Sequence, residues 1–214
     1  MGQERVFAIL PWIVFAAVDR YGGQGTTWGA IGALIATITI LAVERDNNSG
    51  VPNVLMIGAT IWFSGLALAG MLYESHGNWL AQNGRFLSAA GLTVIAAISL
   101  AYIPFTEHYT RPHTRPSHWT TDRFRHVNVV ATMLWAGVAA LAATAQWVAP
   151  IVNQRPAYTV LNWVVPIALL AIGSHYANQI WEQAFDDENE PSFDCDLLWD
   201  LNVEMAKKPA HDDI

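Results

Sequence analysis

Residues 127–154 read VNVVATMLWAGVAALAATAQWVAPIVNQ, a run without one acidic or basic side chain. At 1.5 Å per residue, a helix needs about 20 residues to cross roughly 30 Å of hydrocarbon, and this run exceeds that length. It also lacks the polar stripe that an outer helix of a soluble bundle turns toward water. Working outward, four more charge-free stretches appear: Trp28–Val43, Val54–Tyr73, Phe86–Thr106 and Pro156–Ser174. The first is slightly short, and the others are long enough to span. The expected fold class is therefore all-α, a polytopic transmembrane helical bundle.

Composition agrees. Apolar residues make up 53% of the 214-residue chain and charged ones 14%, against about 25% charged in soluble proteins. Ten tryptophans suit an interfacial aromatic belt. The single cysteine, Cys195, excludes an internal disulfide framework.

A sixth segment, Val6–Val18 (VFAILPWIVFAAV), rises only about 20 Å as a helix, which suits a re-entrant element as well as a crossing. With Asp19, Arg20 and Tyr21 snorkelling outward at one end it crosses. The expectation is six spans, or five if this segment is re-entrant. It does not read as a signal peptide, because Glu4 sits beside Arg5 and Asp19-Arg20 stands where small cleavage-site residues belong. Lipidation signals are not expected either, since MGQERV has no Ser or Thr at position 6.

With six spans and both termini on one side, Arg5, Arg45, Arg111, Arg115, Arg123, Arg125, Lys207 and Lys208 share that side, and Arg20, Arg85 and Arg155 lie opposite. Basic residues collect on the cytoplasmic face, so both termini and the 104–126 loop are expected there. The chain divides into a transmembrane domain over 1–178 and an acidic cytoplasmic tail over 179–214. From Glu182 onward there are eleven acids and two lysines. In this tail Leu197, Leu198, Leu201 and Met205 recur at helical spacing among acids, which predicts a short amphipathic helix.

The loop, PFTEHYTRPHTRPSHWTTDRFRH, places His108, His113 and His118 five residues apart. A zinc site needs ligands converging about 2 Å from the metal. Pro112 and Pro116 disfavour helix, and in an extended run His113 and His118 stand roughly 15 Å apart. Metal binding by the three histidines therefore requires the loop to fold back. His126 opens the fifth span and His175 closes the sixth, so two axial imidazoles for a haem are conceivable there. A structural polar cluster with Asn128 and Asn178 is the plainer reading. No resident cofactor is expected. Arg111, Arg115, Arg123 and Arg125 form a basic surface for the acidic tail, with Leu197, Leu198 and Leu201, or for a membrane or cytoplasmic protein partner.

Nucleophile motifs such as GxSxG and phosphate loops such as GxxxxGK[ST] are absent. Charge is missing from the centres of the spans, where proton-coupled carriers place it. Asp19, at a segment end, is expected to pair with Arg20. Pro166 is a candidate kink. In the span that starts at Val127, Ala136, Ala140 and Thr144 share one face and Ala139 and Ala143 the neighbouring one, spacings that allow close helix approach.

The membrane part, from about residue 6 to 175, resembles the intracellular septation protein A family of bacterial inner-membrane proteins. The resemblance rests on Leu10, Pro11, Ile13, Val14 and Phe15 in AILPWIVFAAVDRYG, and on Phe124, Val127, Asn128 and Trp135 in FRHVNVVATMLW. Asn128 matches the family's pattern in identity. Phe124 replaces a tryptophan, and Trp135 falls one helical turn late. The long arginine and histidine loop and the acidic tail depart from it. The resemblance implies a non-enzymatic membrane protein of structural or interaction role, tied to division or cell-envelope biogenesis. Two other classes remain open: a binding or transport protein for a small uncharged or apolar ligand, and a haem- or quinone-binding redox subunit.

Overall fold

In the computed structural model, residues 2–19, 24–44, 51–72, 78–152 and 155–185 are described. Helices are α1 Gly2–Val18, α2 Gly25–Val43, α3 Val54–Leu72, α4 Asn78–Ala101, α5 Thr106–Thr110, α6 Asp122–Val152, α7 Arg155–Thr159 and α8 Val165–Phe185. Among the described residues there is no strand. Five helical stretches among the described residues are long and apolar enough to cross a membrane: α2, α3, α4, α6 and the continuous run through α7 and α8. In α1 the apolar part is shorter, Ile9–Val18. Of the expected acidic tail, residues 179–185 continue α8, and residues 186–214, with Cys195 and the expected helix carrying Leu197, Leu198 and Leu201, lie outside the described residues.

Sequential neighbours pack together. α1 lies on α2, α2 on α3, α3 on α4, α4 on α6, and α6 on α8, while α1 also reaches α4. Two cores hold the first half. Phe15, Ala30, Ala33, Ala59, Phe63, Leu66 and Ala67 form one. Ile40, Leu55, Met56, Ile95, Ala96 and Phe105 form the other, nearer α5. Phe63 stacks on Phe15 at 5.7 Å and meets Trp12 edge-on at 5.6 Å.

The outward surface inverts the soluble pattern. Ile35, Ile61, Leu68, Ile98, Met133, Leu141, Ile167 and Ile172 all point outward, whereas Thr37, Ser99, Asn128 and Thr132 are fully enclosed. Water would penalise such a surface and hydrocarbon would not. Exposed and buried hydroxyls within the spans are satisfied by their own helix: Thr37 donates to the Ala33 carbonyl, Thr60 to Met56, Thr93 to Ala89 and Thr144 to Ala140. The indole N–H groups of Trp62 and Trp12 donate to consecutive carbonyls of α4, Leu87 at 3.1 Å and Ser88 at 3.2 Å. This approach requires Gly91, because a Cβ there would run into the Trp62 indole ring.

Several boundaries differ from the sequence expectation. α4 starts at Asn78, so Arg85 lies inside a spanning helix instead of in a loop, and α4 stops at Ala101, before Pro104. Pro166, the candidate kink, follows a local change of helix type. The helix passes through a π turn at Val160–Val164 immediately before it. A proline has no N–H to donate and its ring crowds the carbonyl four residues back, and a π turn relieves both. Of the two small-residue faces in α6, Ala139 and Ala143 are buried, whereas Thr144 is exposed.

Candidate functional site

Polar side chains gather at the two ends of the bundle. At the loop end, α5 follows Pro104 and buries Thr106, Glu107 and His108. The His108 Nδ1 lies 3.0 Å from the Val51 carbonyl oxygen, and its Nε2 lies 3.3 Å from Glu44 Oε2. The two ring nitrogens thus each face an oxygen, one from the backbone and one from a carboxylate. Glu44 closes α2, and its Oε2 also takes a 2.6 Å hydrogen bond from Asn53 Nδ2. Asn53 caps α3, its Oδ1 accepting from the Met56 N–H at 3.1 Å, and its Nδ2 also donates to the Tyr109 hydroxyl at 3.1 Å. One network thus ties the end of α2, the start of α3 and α5. Burial opposes ionisation of Glu44, but hydrogen bonds from His108 and Asn53, with the His108 charge, outweigh it and hold the carboxyl below its ordinary range. Burial pushes the Tyr109 hydroxyl up, and the nearby Glu44 charge adds to this.

A second network joins α5 to α6. The Thr106 hydroxyl donates to the Asn128 carbonyl at 2.9 Å and shares a 3.0 Å hydrogen bond with Thr132. Thr110 donates to Asn128 Oδ1 at 3.0 Å, and Asn128 Nδ2 donates to the Phe124 carbonyl at 3.0 Å. Arg111 donates to Glu107 at 3.0 Å and lies 5.2 Å from the Trp119 ring centre, while the Trp119 N–H closes onto the Thr114 carbonyl at 3.2 Å.

This geometry corrects the extended reading of the loop. Arg111–His113 and Pro116–His118 are short 3-10 turns, each with its proline in the first positions, where a missing N–H does no harm. The three loop histidines differ in setting: His108 faces inward to Glu44, His113 is exposed and His118 is half-buried. Among the described residues no group of three or more His, Cys, Asp and Glu side chains could hold a metal ion. His126 and His175 are both exposed, on α6 and α8, and His175 packs edge-on to Tyr176 at 5.8 Å. The four arginines divide. Arg111 is held by Glu107 and Trp119, whereas Arg115, Arg123 and Arg125 are exposed.

No family model, no curated protein and no solved structure matches this chain.

The opposite end holds a buried ion pair. Arg85 Nε lies 3.4 Å from Asp19 Oδ2, with side chains only 10% and 6% exposed. Thr26 donates to Asp19 Oδ1 at 2.6 Å, and the Arg85 guanidinium lies 4.6 Å from the Trp163 ring centre in the π turn. Gly84 leaves room for this: a Cβ there would stand 2.6 Å from both Asp19 Oδ1 and Thr26 Oγ1. The partner shown for Asp19 is thus Arg85, from another helix, and Arg20 lies outside the described residues.

Glu44, Asn53 and Arg85 were not singled out as site residues by the sequence. The local signals were slight: a Pro-Asn pair before an apolar run is a helix-cap pattern. Glu44 and His108, 64 positions apart, carry no mutual signal.

Proposed function

We propose that this chain is a six-span protein of a bacterial inner membrane with both termini in the cytoplasm. Its role is structural or interactive, in envelope biogenesis or division, and not catalytic. One observation carries the reading: the loop between α4 and α6 is braced by buried hydrogen bonds and ion pairs, yet displays Arg115, Arg123 and Arg125 outward. A connection between helices needs no such bracing. A surface that must present the same arginines in one geometry does, because a prearranged surface loses less entropy on binding. The excess of basic residues on this side supports a cytoplasmic location, and the resemblance of the segments around Pro11 and Asn128 supports the envelope or division setting.

Crosslinking in intact membranes, followed by purification of the full chain and mass spectrometry, tests the reading. A protein partner is expected that disappears when Arg115, Arg123 and Arg125 are all replaced by Gln. An identical set of crosslinked proteins with and without the arginines refutes it.

A second reading, binding of a small uncharged ligand within the membrane, is favoured by one observation. The Gln146 side-chain oxygen is buried in α6 without a hydrogen-bond partner among the described residues. α6 packs against the π turn that carries buried Asn162, and π turns recur at functional sites. Ligand density or a co-purified small molecule there, lost on Gln146→Leu, would support it.

A further inference from the structure

Where the described chain ends is informative. The last turns of α8 lie against the first turn of α6: Trp181 meets Phe124 edge-on at 6.3 Å, and Arg123 donates to the Gln183 carbonyl at 3.5 Å. α8 ends at Phe185. The next residues read DDENEP, with acids at 186, 187, 188 and 190. The chain therefore leaves α8 beside the arginine surface, and its first residues beyond the helix are acidic. An extended chain advances about 3.3–3.6 Å per residue, so residues 186–190 reach up to roughly 17 Å. That range covers the first turn of α6, where Arg123 and Arg125 stand exposed, and extends toward Arg115 on the neighbouring 3-10 turn.

We propose that the acidic segment 186–190 of the chain's own tail docks on the surface formed by Arg115, Arg123 and Arg125. This rests on the reading of the braced loop as a docking surface and names its resting occupant. Charge complementarity is close: the segment carries four acids and the surface three exposed arginines, and Asp122 is the one acid between 111 and 126. Attachment adds to this. A segment tethered a few residues away has an effective concentration in the millimolar range or above, enough to compete with anionic lipid headgroups that attract each arginine by about 1 kcal/mol.

The test uses the full chain in lipid nanodiscs, with Cys195→Ser and spin labels at Ser117→Cys and Asn189→Cys. Distances between the labels are read by pulsed electron resonance. A narrow distribution is expected at 0.1 M salt, broadening at 1 M, where charges are screened within about 3 Å. Replacing Asp186, Asp187 and Glu188 by Lys should broaden it, and adding Arg115→Glu, Arg123→Glu and Arg125→Glu should restore it. Arg115, Ser117, Arg123 and Arg125 are exposed, and helicity and unfolding temperature are expected to be unchanged in every variant. A broad distribution at both salts, or one indifferent to the arginines, overturns the proposal. So does a distribution that is narrow in zwitterionic nanodiscs but broad in anionic ones, since headgroups then hold the arginines. If these fail while the crosslinked partner is still lost with the arginines, the docking surface stands and the tail is not its occupant.

Discussion

Replacing Glu44 by Ala removes the acceptor shared by His108 and Asn53. The structure sets the size of the effect. His108 is 6% exposed and Glu44 18%, so water replaces the lost acceptor only in part. Each hydrogen bond to a charged group contributes about 1.5–3 kcal/mol, and a buried donor left without a partner costs about 1–3 kcal/mol. Two such bonds are lost, at 3.3 and 2.6 Å. Partial hydration through the exposed edge of Glu44 lowers the sum, and about 2–4 kcal/mol is expected. Because the network joins the ends of α2, α3 and α5, the loss should be local as well as global. Reversible unfolding in mixed micelles measures the first, and hydrogen exchange of amides 104–121 the second. Glu44→Ala with His108→Ala should destabilise by about 1.5–3 kcal/mol less than the two changes summed. If Glu44→Ala shifts stability by less than about 0.5 kcal/mol and leaves loop exchange unchanged, the loop is not braced as described.

The buried pair at the opposite end should behave similarly. Asp19→Ala leaves Arg85 enclosed without its carboxylate and should cost about 3–5 kcal/mol, with Arg85→Leu recovering part of it in the double variant; additive losses would refute the coupling. Gly91→Ala should drive the new methyl into the Trp62 ring and lower stability by about 1–3 kcal/mol, while Gly91→Ala with Trp62→Leu should unfold at a higher temperature than Gly91→Ala alone. For pH, the Glu44 carboxyl is held below its ordinary value of 4.5, so its contribution is fully present above that value and is lost as pH falls through the lower folded value. Loop amides in the native chain should therefore exchange faster on acidification through that range, after correction for intrinsic rates, and those in Glu44→Gln should not.

Much of the fold was legible because hydrocarbon imposes a simple rule. Charge-free stretches of sufficient length had to be helices, and α2, α3, α4, α6 and the run into α8 lie where those stretches do. The errors fall where long-range chemistry overrides it. Arg85 marked a loop in sequence, yet it enters α4 because Asp19 and Trp163 accept it from two other helices. The loop prolines suggested extended chain, but a proline at the start of a 3-10 turn satisfies the same backbone restriction. The even spacing of His108, His113 and His118 raised the question of a metal, which Pro112 and Pro116 already argued against. What distinguishes His108 is instead Glu44 and Val51, residues brought near by the packing of α2, α3 and α5. Hydropathy reads spans well, and it is silent on which polar residue meets which at their ends.

The most direct test is labelling by a membrane-impermeant maleimide in intact bacterial cells. With Cys195→Ser as background, a single cysteine is placed at Ser117 in the loop or at Pro156 beyond the far end of α6, both exposed. The account predicts that Pro156→Cys reacts in intact cells and that Ser117→Cys reacts only after the membrane is opened. Equal labelling of the two in intact cells, or the reverse order, would contradict a loop surface held on the cytoplasmic face of a spanning bundle.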